Sequence, residues 1–275
     1  MGTLYVVATP IGNLEDITLR ALAVLREVAL VLAEDTRHTR VLLGRHGIAK
    51  TPLSLHAHNE AARAQQVLTA LAGGQAVALV SDAGTPLVSD PGERLVARAI
   101  ADGHRVVPVP GPSAVLAALI ASGLPAEAFT FVGFLPRRAG ERARRLAALR
   151  ARPETLVLFE SPRRVGALLA ELAAAFGERR ACLARELTKL HEEAARGTLG
   201  ELAARFAEGA RGEVTLVVEG ASEAAEPATE DLLRERVRAL LAAGLSARDL
   251  ASQLARETGA PRRVLYAIAL EESGR

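Results

Sequence analysis

Through its first 220 residues the chain keeps switching between two hydrophobic periods, and this alternation constrains the fold more than any other feature. Apolar, β-branched runs at 4–9, 30–35, 76–82 and 105–110 are each followed by a stretch with helical spacing, at 19–28, 39–47, 93–103 and 113–123. Helices interposed between strands act as crossovers, so the pattern predicts βα units and a mainly parallel sheet. A second set of strands, at 129–134, 155–161, 181–186 and 214–220, predicts a second α/β layer. The two should join near residues 110–125, where Pro and Gly are dense. The expected organisation is an α/β domain over 1–115 and another over 116–222.

After Gly220 the run 221–230 is polar, acidic and Pro-containing, as a linker would be. The remainder reads as pure helix, giving a third region over 223–275. Within it two short amphipathic helices flank Thr258-Gly-Ala-Pro261, with Ser246 placed to cap the first and Arg262 and Arg263 opening the second. The spacing resembles a helix-turn-helix; a plain helical pair packed on the parent domain satisfies it equally.

Composition removes several classes. At 275 residues and 49% hydrophobic content the chain can bury a sizeable core. Its longest apolar stretch, 106–124, contains Pro108, Pro110, Gly111 and Pro112, so no membrane-spanning helix is expected there. The N-terminus shows neither a leader pattern nor a myristoylation motif, and Cys182 is the sole cysteine, which rules out an intramolecular disulfide. A reducing cytoplasm is the expected location. Net charge is only +2, yet residues 137–152 hold seven arginines against Glu141 alone. That run is either a solvated helix face or a phosphate-facing surface.

In open α/β sheets ligands sit at the carboxyl ends of strands, so the loops there carry the chemistry. The first strand ends in Thr9-Pro-Ile-Gly-Asn-Leu14, where Pro10 fixes one φ and Gly12 is free to take a positive one, opening backbone amides to a ligand. The second delivers Glu34, Asp35, Arg37 and His38; a helix start explains the two acids as well as a site does. The third delivers a rigid, small-residue loop from Ser81 to Gly92, and the fourth ends at Pro110-Gly-Pro-Ser-Ala114 with Ser113 as the expected N-cap. No nucleotide P-loop and no G-x-G-x-x-G after the first strand is present. His56-x-His58 has no third ligand in view, so no metal is expected and the histidines read as surface or core residues.

Together, Thr9-Pro-Ile-Gly-Asn-Leu14 with Asp16-Ile-Thr-Leu-Arg20, Glu34-Asp-Thr-Arg37, Ser81-Asp-Ala-Gly-Thr-Pro86, Ser89-Asp-Pro-Gly92 and Pro110-Gly-Pro-Ser-Ala114 closely resemble the tetrapyrrole-methylase superfamily. The branch they resemble modifies RNA, methylating the 2′-hydroxyl of cytidine 1402 in 16S ribosomal RNA. Phe159-Glu-Ser-Pro-Arg163, Ala184-Arg-Glu-Leu-Thr-Lys189, Gly212-Glu-Val-Thr215 and Val218-Glu-Gly220 extend the likeness over nearly the whole chain.

The resemblance implies two α/β domains with S-adenosylmethionine in the cleft between them, a small C-terminal helical domain, and a homodimer acting on 16S rRNA within the small ribosomal subunit. It places the cofactor against Pro10, Asp82, Ala83, Gly84, Ser113, Ala114, Phe159, Ala184 and Arg185. Tetrapyrrole enzymes carry G-x-G-P-G-D in the first loop where this chain has Ala8-Thr-Pro-Ile-Gly-Asn13, which makes a porphyrinoid substrate the second choice. A non-catalytic RNA-binding adaptor is the alternative from another class. For activating a ribose hydroxyl, Asp16, Asp35 and Glu186 are the candidate carboxylates, with Arg37 and Lys189 as phosphate or oxyanion partners.

Overall fold

The computed structural model describes residues 1–56, 59–221, 230–242, 245–258 and 260–273. His58, the linker residues 222–229 and Gly259 lie outside them. Residues Met1–Gly220 form one compact unit and Ala221–Arg275 another.

The first sheet has the order β3-β2-β4-β1-β5 (Leu53–Ser54, Leu30–Ala33, Ala76–Val80, Thr3–Val7, Arg105–Val109) and is parallel throughout, as the alternation predicted. Successive residues of a strand face opposite sides, and the sheet uses both. Leu4, Val77 and Leu79 pack beneath α3 (Glu60–Ala72) and α4 (Glu93–Ala101), while Val7, Ala78 and Val80 pack beneath α1 (Leu19–Glu27) and α2 (Thr36–Arg45). Neighbouring strands β1 and β4 thus send their following helices to opposite faces. The loops leaving them diverge and open a crevice at their carboxyl ends.

The second sheet departs from expectation. Its order is β6-β7-β10-β8-β9 (Phe129–Phe134, Thr155–Glu160, Val214–Val218, Arg180–Arg185, Glu193–Thr198), and only β6·β7 is a parallel neighbour pair. Helices α6 (Ala139–Leu149) and α7 (Val165–Phe176) keep β6, β7 and β8 pointing the same way. The segment from Glu186 to Glu192 is too short for a crossover, so β9 doubles back on β8 and reverses the direction. After α8 (Leu199–Arg205), β10 then enters antiparallel between β7 and β8, and all five of its residues are buried. One face of this sheet packs α6, α7 and α8; the other receives α5 (Ala114–Ser122) through Val115, Ala118 and Leu119 against Val157, Cys182, Ala184 and Val217.

The second unit comprises α9 (Glu230–Ala242), α10 (Ala247–Thr258) and α11 (Arg262–Glu272) around a core of Leu233, Val237, Leu250, Leu254, Leu265 and Ile268. Ser246 accepts the Asp249 amide at 3.2 Å, the cap its position predicted. Among the described residues no helix is long and apolar enough to cross a membrane.

Candidate active site

The crevice is built from the turns after β1 and β4, which are tied to each other. Thr9 and Gly84 exchange backbone hydrogen bonds of 2.8 and 3.0 Å, and the Thr9 hydroxyl donates to the Ser81 carbonyl at 3.0 Å. Gly84 sits at φ +82, where a side chain would be strained. Further along the same loop Leu87 and Ser89 also hold positive φ, and so do Glu186 and Thr188 in the β8–β9 turn across the crevice. Such backbone is uncommon outside glycine, and here it clusters in two facing loops, as it does at ligand sites.

Gly12 is needed for a reason other than the expected one. It does not adopt a positive φ. A Cβ there would stand 2.7 Å from Lys189 Cγ, 2.7 Å from Thr188 Oγ1 and 2.8 Å from the Leu187 carbonyl, so the absence of a side chain lets the turn of the second sheet close on the first loop. The Asn13 amide donates to Thr188 Oγ1 at 3.0 Å and fixes that closure.

Between the sheets lies a cavity of about 410 Å³. Ala83, Ala114 and Ala184 keep its walls low, Phe134 and Phe159 form an aromatic side with ring centroids 5.7 Å apart, and Glu34, Asp82 and Asp90 form an acidic one. Burial, followed by repulsion from Glu34 and Asp82, pushes the Asp90 carboxyl up to about 6. Burial and the Asp82 charge likewise raise Glu34. Three carboxyls crowded into a half-buried wall destabilise one another, and a cation seated there would relieve them.

A second, shallower cavity of about 380 Å³ continues from the first. Ile11, Asp82, Ala83 and Glu213 line both, while Pro10, Gly12, His38 and Lys189 belong to the outer lobe. Lys189 Nζ donates to Glu186 at 3.0 Å and to Glu213 at 3.2 Å. Lys189 holds Glu186 below the ordinary carboxylate range, and Glu186 with Glu213 raises Lys189 against its burial.

The residues singled out from sequence therefore divide. Asp82, Ala83, Ala114, Phe159 and Ala184 line the inner cavity, and Pro10 and Lys189 the outer. Gly84 lines neither lobe and acts through its backbone pairing with Thr9. Ser113 caps α5, accepting the Leu116 amide, and with Asp16 it lines a separate recess beside Thr18 and Gly111. Arg185 turns to Glu193, with Nε 2.5 Å from Oε2, and is not on the cavity wall. Asp35 caps α2 by accepting the Arg37 amide at 2.8 Å, and the Arg37 guanidinium at 3.0 Å holds its carboxyl far below the usual range. Arg37 itself is 83% exposed, and neither of the two lines either lobe. Glu34 and His38 are legible in sequence only as members of the loop after the second strand, without an assigned role, and Asp90, Phe134 and Glu213 are not singled out as site residues at all; only their place at strand ends and in the following loops hints at them. Among the described residues no group of three or more potential metal ligands is gathered.

Two α/β sheets enclosing an acidic, aromatic-sided cleft at their loop ends define the class. The family profile for Tetrapyrrole (Corrin/Porphyrin) Methylases matches residues 3–203, and the chain belongs to that family. It is 52% identical to ribosomal RNA small subunit methyltransferase I of Mesorhizobium japonicum, over 98% of this chain and 91% of that one. The protein of the same name from Escherichia coli O157:H7 is 46% identical over 99% and 96%. Among solved structures, uroporphyrin-III-C-methyltransferase from Thermus thermophilus superposes with a TM-score of 0.59 at 26% identity, covering 80% of this chain and 94% of that one. A structure of the Thermus enzyme complexed with S-adenosyl homocysteine shares the fold at TM-score 0.59 and 22% identity, over 79% and 97%.

Proposed function

We propose that this chain is an S-adenosylmethionine-dependent methyltransferase acting on the ribose 2′-hydroxyl of cytidine 1402 in 16S ribosomal RNA. The observation that carries the reading is the joined pair of lobes: a cavity of about 410 Å³ with an acidic wall and an aromatic side, opening onto an outer lobe that holds Lys189. The donor set fits S-adenosylmethionine. Glu34, Asp82 and Asp90 complement its sulfonium and ammonium charges, Phe134 and Phe159 offer ring faces and edges to adenine, and three alanines leave room for it. When bound, it supplies an electrophilic methyl carbon. The chain's part is to seat the acceptor oxygen in line with that carbon and keep water away, positioning that contributes on the order of 7 to 11 kcal/mol in favourable cases.

Nearly full-length relatives named for ribosomal RNA support an RNA acceptor, as does the first loop, which lacks the Gly-rich sequence of tetrapyrrole enzymes. The decisive experiment uses small-subunit RNA carrying one 2′-deoxycytidine at the target position. Methyl transfer should disappear while most phosphate contacts survive; base methylation would continue unaffected. Efficient transfer to the deoxy substrate, or to a precorrin, overturns the proposal.

A homodimer working in the cytoplasm on the small subunit completes the reading. Leu116 and Ile120, one turn apart on α5, are 52% and 78% exposed and supply an apolar stripe for a second copy. Sedimentation should give twice the chain mass, and Ile120→Glu should halve it.

A further inference from the structure

We infer that His38 is the general base of the methyl transfer, held for that task by Asp82. This rests on the proposed ribose 2′-hydroxyl as acceptor. His38 lies in the first turn of α2 and lines the outer lobe together with Lys189 and the first loop. Its Nδ1 is 3.7 Å from Asp82 Oδ2. The other oxygen of that carboxylate is occupied, because Asp82 Oδ1 accepts the Asp35 amide at 2.8 Å. Asp82 is therefore fixed by backbone on one side and aimed at the imidazole on the other. That arrangement favours the tautomer with the proton on Nδ1, which leaves the Nε2 lone pair free to accept a proton. The separation is longer than a hydrogen bond, as catalytic contacts often are before substrate engages.

The other carboxylates are committed elsewhere. Asp35 is caught by Arg37, and Glu186 and Glu213 by Lys189. Asp16 faces a different recess, and Glu34 and Asp90 line only the inner cavity. The charged groups around His38 are thus Asp82, Asp35 and Arg37 from its own sheet and Lys189 and Glu213 from the facing one. In the step assigned to it, the 2′ oxygen forms a bond to the methyl carbon as the carbon–sulfur bond breaks with its electron pair left on sulfur. The hydroxyl proton passes to His38 Nε2, the imidazolium is stabilised by Asp82, and the proton then leaves to solvent, the side chain being 68% exposed.

The test combines kinetics with a readout that needs no turnover. With small-subunit RNA and S-adenosylmethionine, His38→Gln should lower kcat by about 10²- to 10⁴-fold, the range for a lost general base, while KM for RNA and the Kd for S-adenosylmethionine stay within about threefold. His38→Ala should regain activity on adding imidazole. Nitrogen NMR of the wild-type protein alone should show His38 protonated on Nδ1, and Asp82→Asn should lose that preference. His38→Gln with near-normal kcat, a loss confined to KM, or no tautomer preference overturns the inference while leaving the proposed function intact. A wild-type protein that binds S-adenosylmethionine yet leaves the ribose unmethylated overturns both.

Discussion

Asp90 sits in the cleft wall at a cost to folding, so Asp90→Asn should stabilise the protein. The rise of its carboxyl from an ordinary 3.8 to about 6 corresponds to about 3 kcal/mol, at about 1.4 kcal/mol per tenfold change in proton affinity. Because the group retains some solvent contact, about 1.5 to 3 kcal/mol is the expected gain. The sign follows from proton counts. Between about pH 4 and 6 the unfolded chain loses this proton while the folded one keeps it, so folding is progressively penalised as pH rises, and the penalty is constant above about 6. Asn carries no such penalty. The difference in Tm between variant and wild type should therefore be near zero at pH 4, grow through pH 6 and level off at roughly 3 to 12 °C, given about 2 to 4 °C per kcal/mol for a unit of this size. Melting curves across pH without ligand provide the measurement. The same substitution should weaken S-adenosylmethionine binding by roughly tenfold, the ~1.4 kcal/mol of one partly screened charge pair, read by calorimetry. A variant whose Tm tracks wild type from pH 4 to 8 would refute the reasoning, since the carboxyl would then feel neither burial nor its neighbours.

Ala83→Trp should abolish S-adenosylmethionine binding in calorimetry by filling a wall shared by both lobes. Gly12→Val should cost about 1 to 3 kcal/mol in denaturant melts and raise KM for RNA, since a Cβ meets the Leu187 carbonyl at 2.8 Å. Within the arginine run, Arg142 grips Glu171 at 2.6 and 2.7 Å and Arg138 pairs with Glu141 at 3.3 Å. Arg142→Ala should therefore lower Tm with little effect on RNA affinity, whereas Arg144→Glu with Arg145→Glu should lower affinity and flatten its salt dependence by roughly 0.7 to 0.9 in log–log slope for each phosphate that is no longer neutralised. Removing residues 223–275 should weaken RNA binding more than S-adenosylmethionine binding, measured by filter binding and calorimetry on the same truncated chain.

Local features are legible in the sequence and non-local ones are not. The parallel sheet follows from two hydrophobic periods, and the caps at Ser113 and Ser246 from residue type beside a helix start. Asp35 is ambiguous because a capping acid and a catalytic acid have the same local signature; its bonds from the Arg37 amide and guanidinium decide for the cap. The need for Gly12 is invisible locally because its crowding comes from Thr188 and Lys189, far along the chain. β9 escapes notice because Glu193–Thr198, EAARGT, has neither β-branched density nor strict alternation, and its pairing with β8 comes from a turn rather than from propensity. Glu34, Asp90 and Glu213 gain meaning only when two sheets place them on one wall.

The late arrival of β10 bears on how the molecule is made. Among the described residues this strand is the last in sequence, yet it occupies the middle of its sheet. Until it emerges from the ribosome, β7 and β8 have no partner on their inner edges, and two open edges within one nascent chain invite pairing with the wrong neighbour. Glu213 and Thr215, which line the inner cavity, arrive with it. A chain halted after residue 203 contains most of the helices of the first unit but neither a finished second sheet nor a complete cleft. Ligand binding during synthesis should therefore switch on only after Val218 has cleared the exit tunnel, so that S-adenosylmethionine captured on stalled chains of increasing length marks the moment the second half closes.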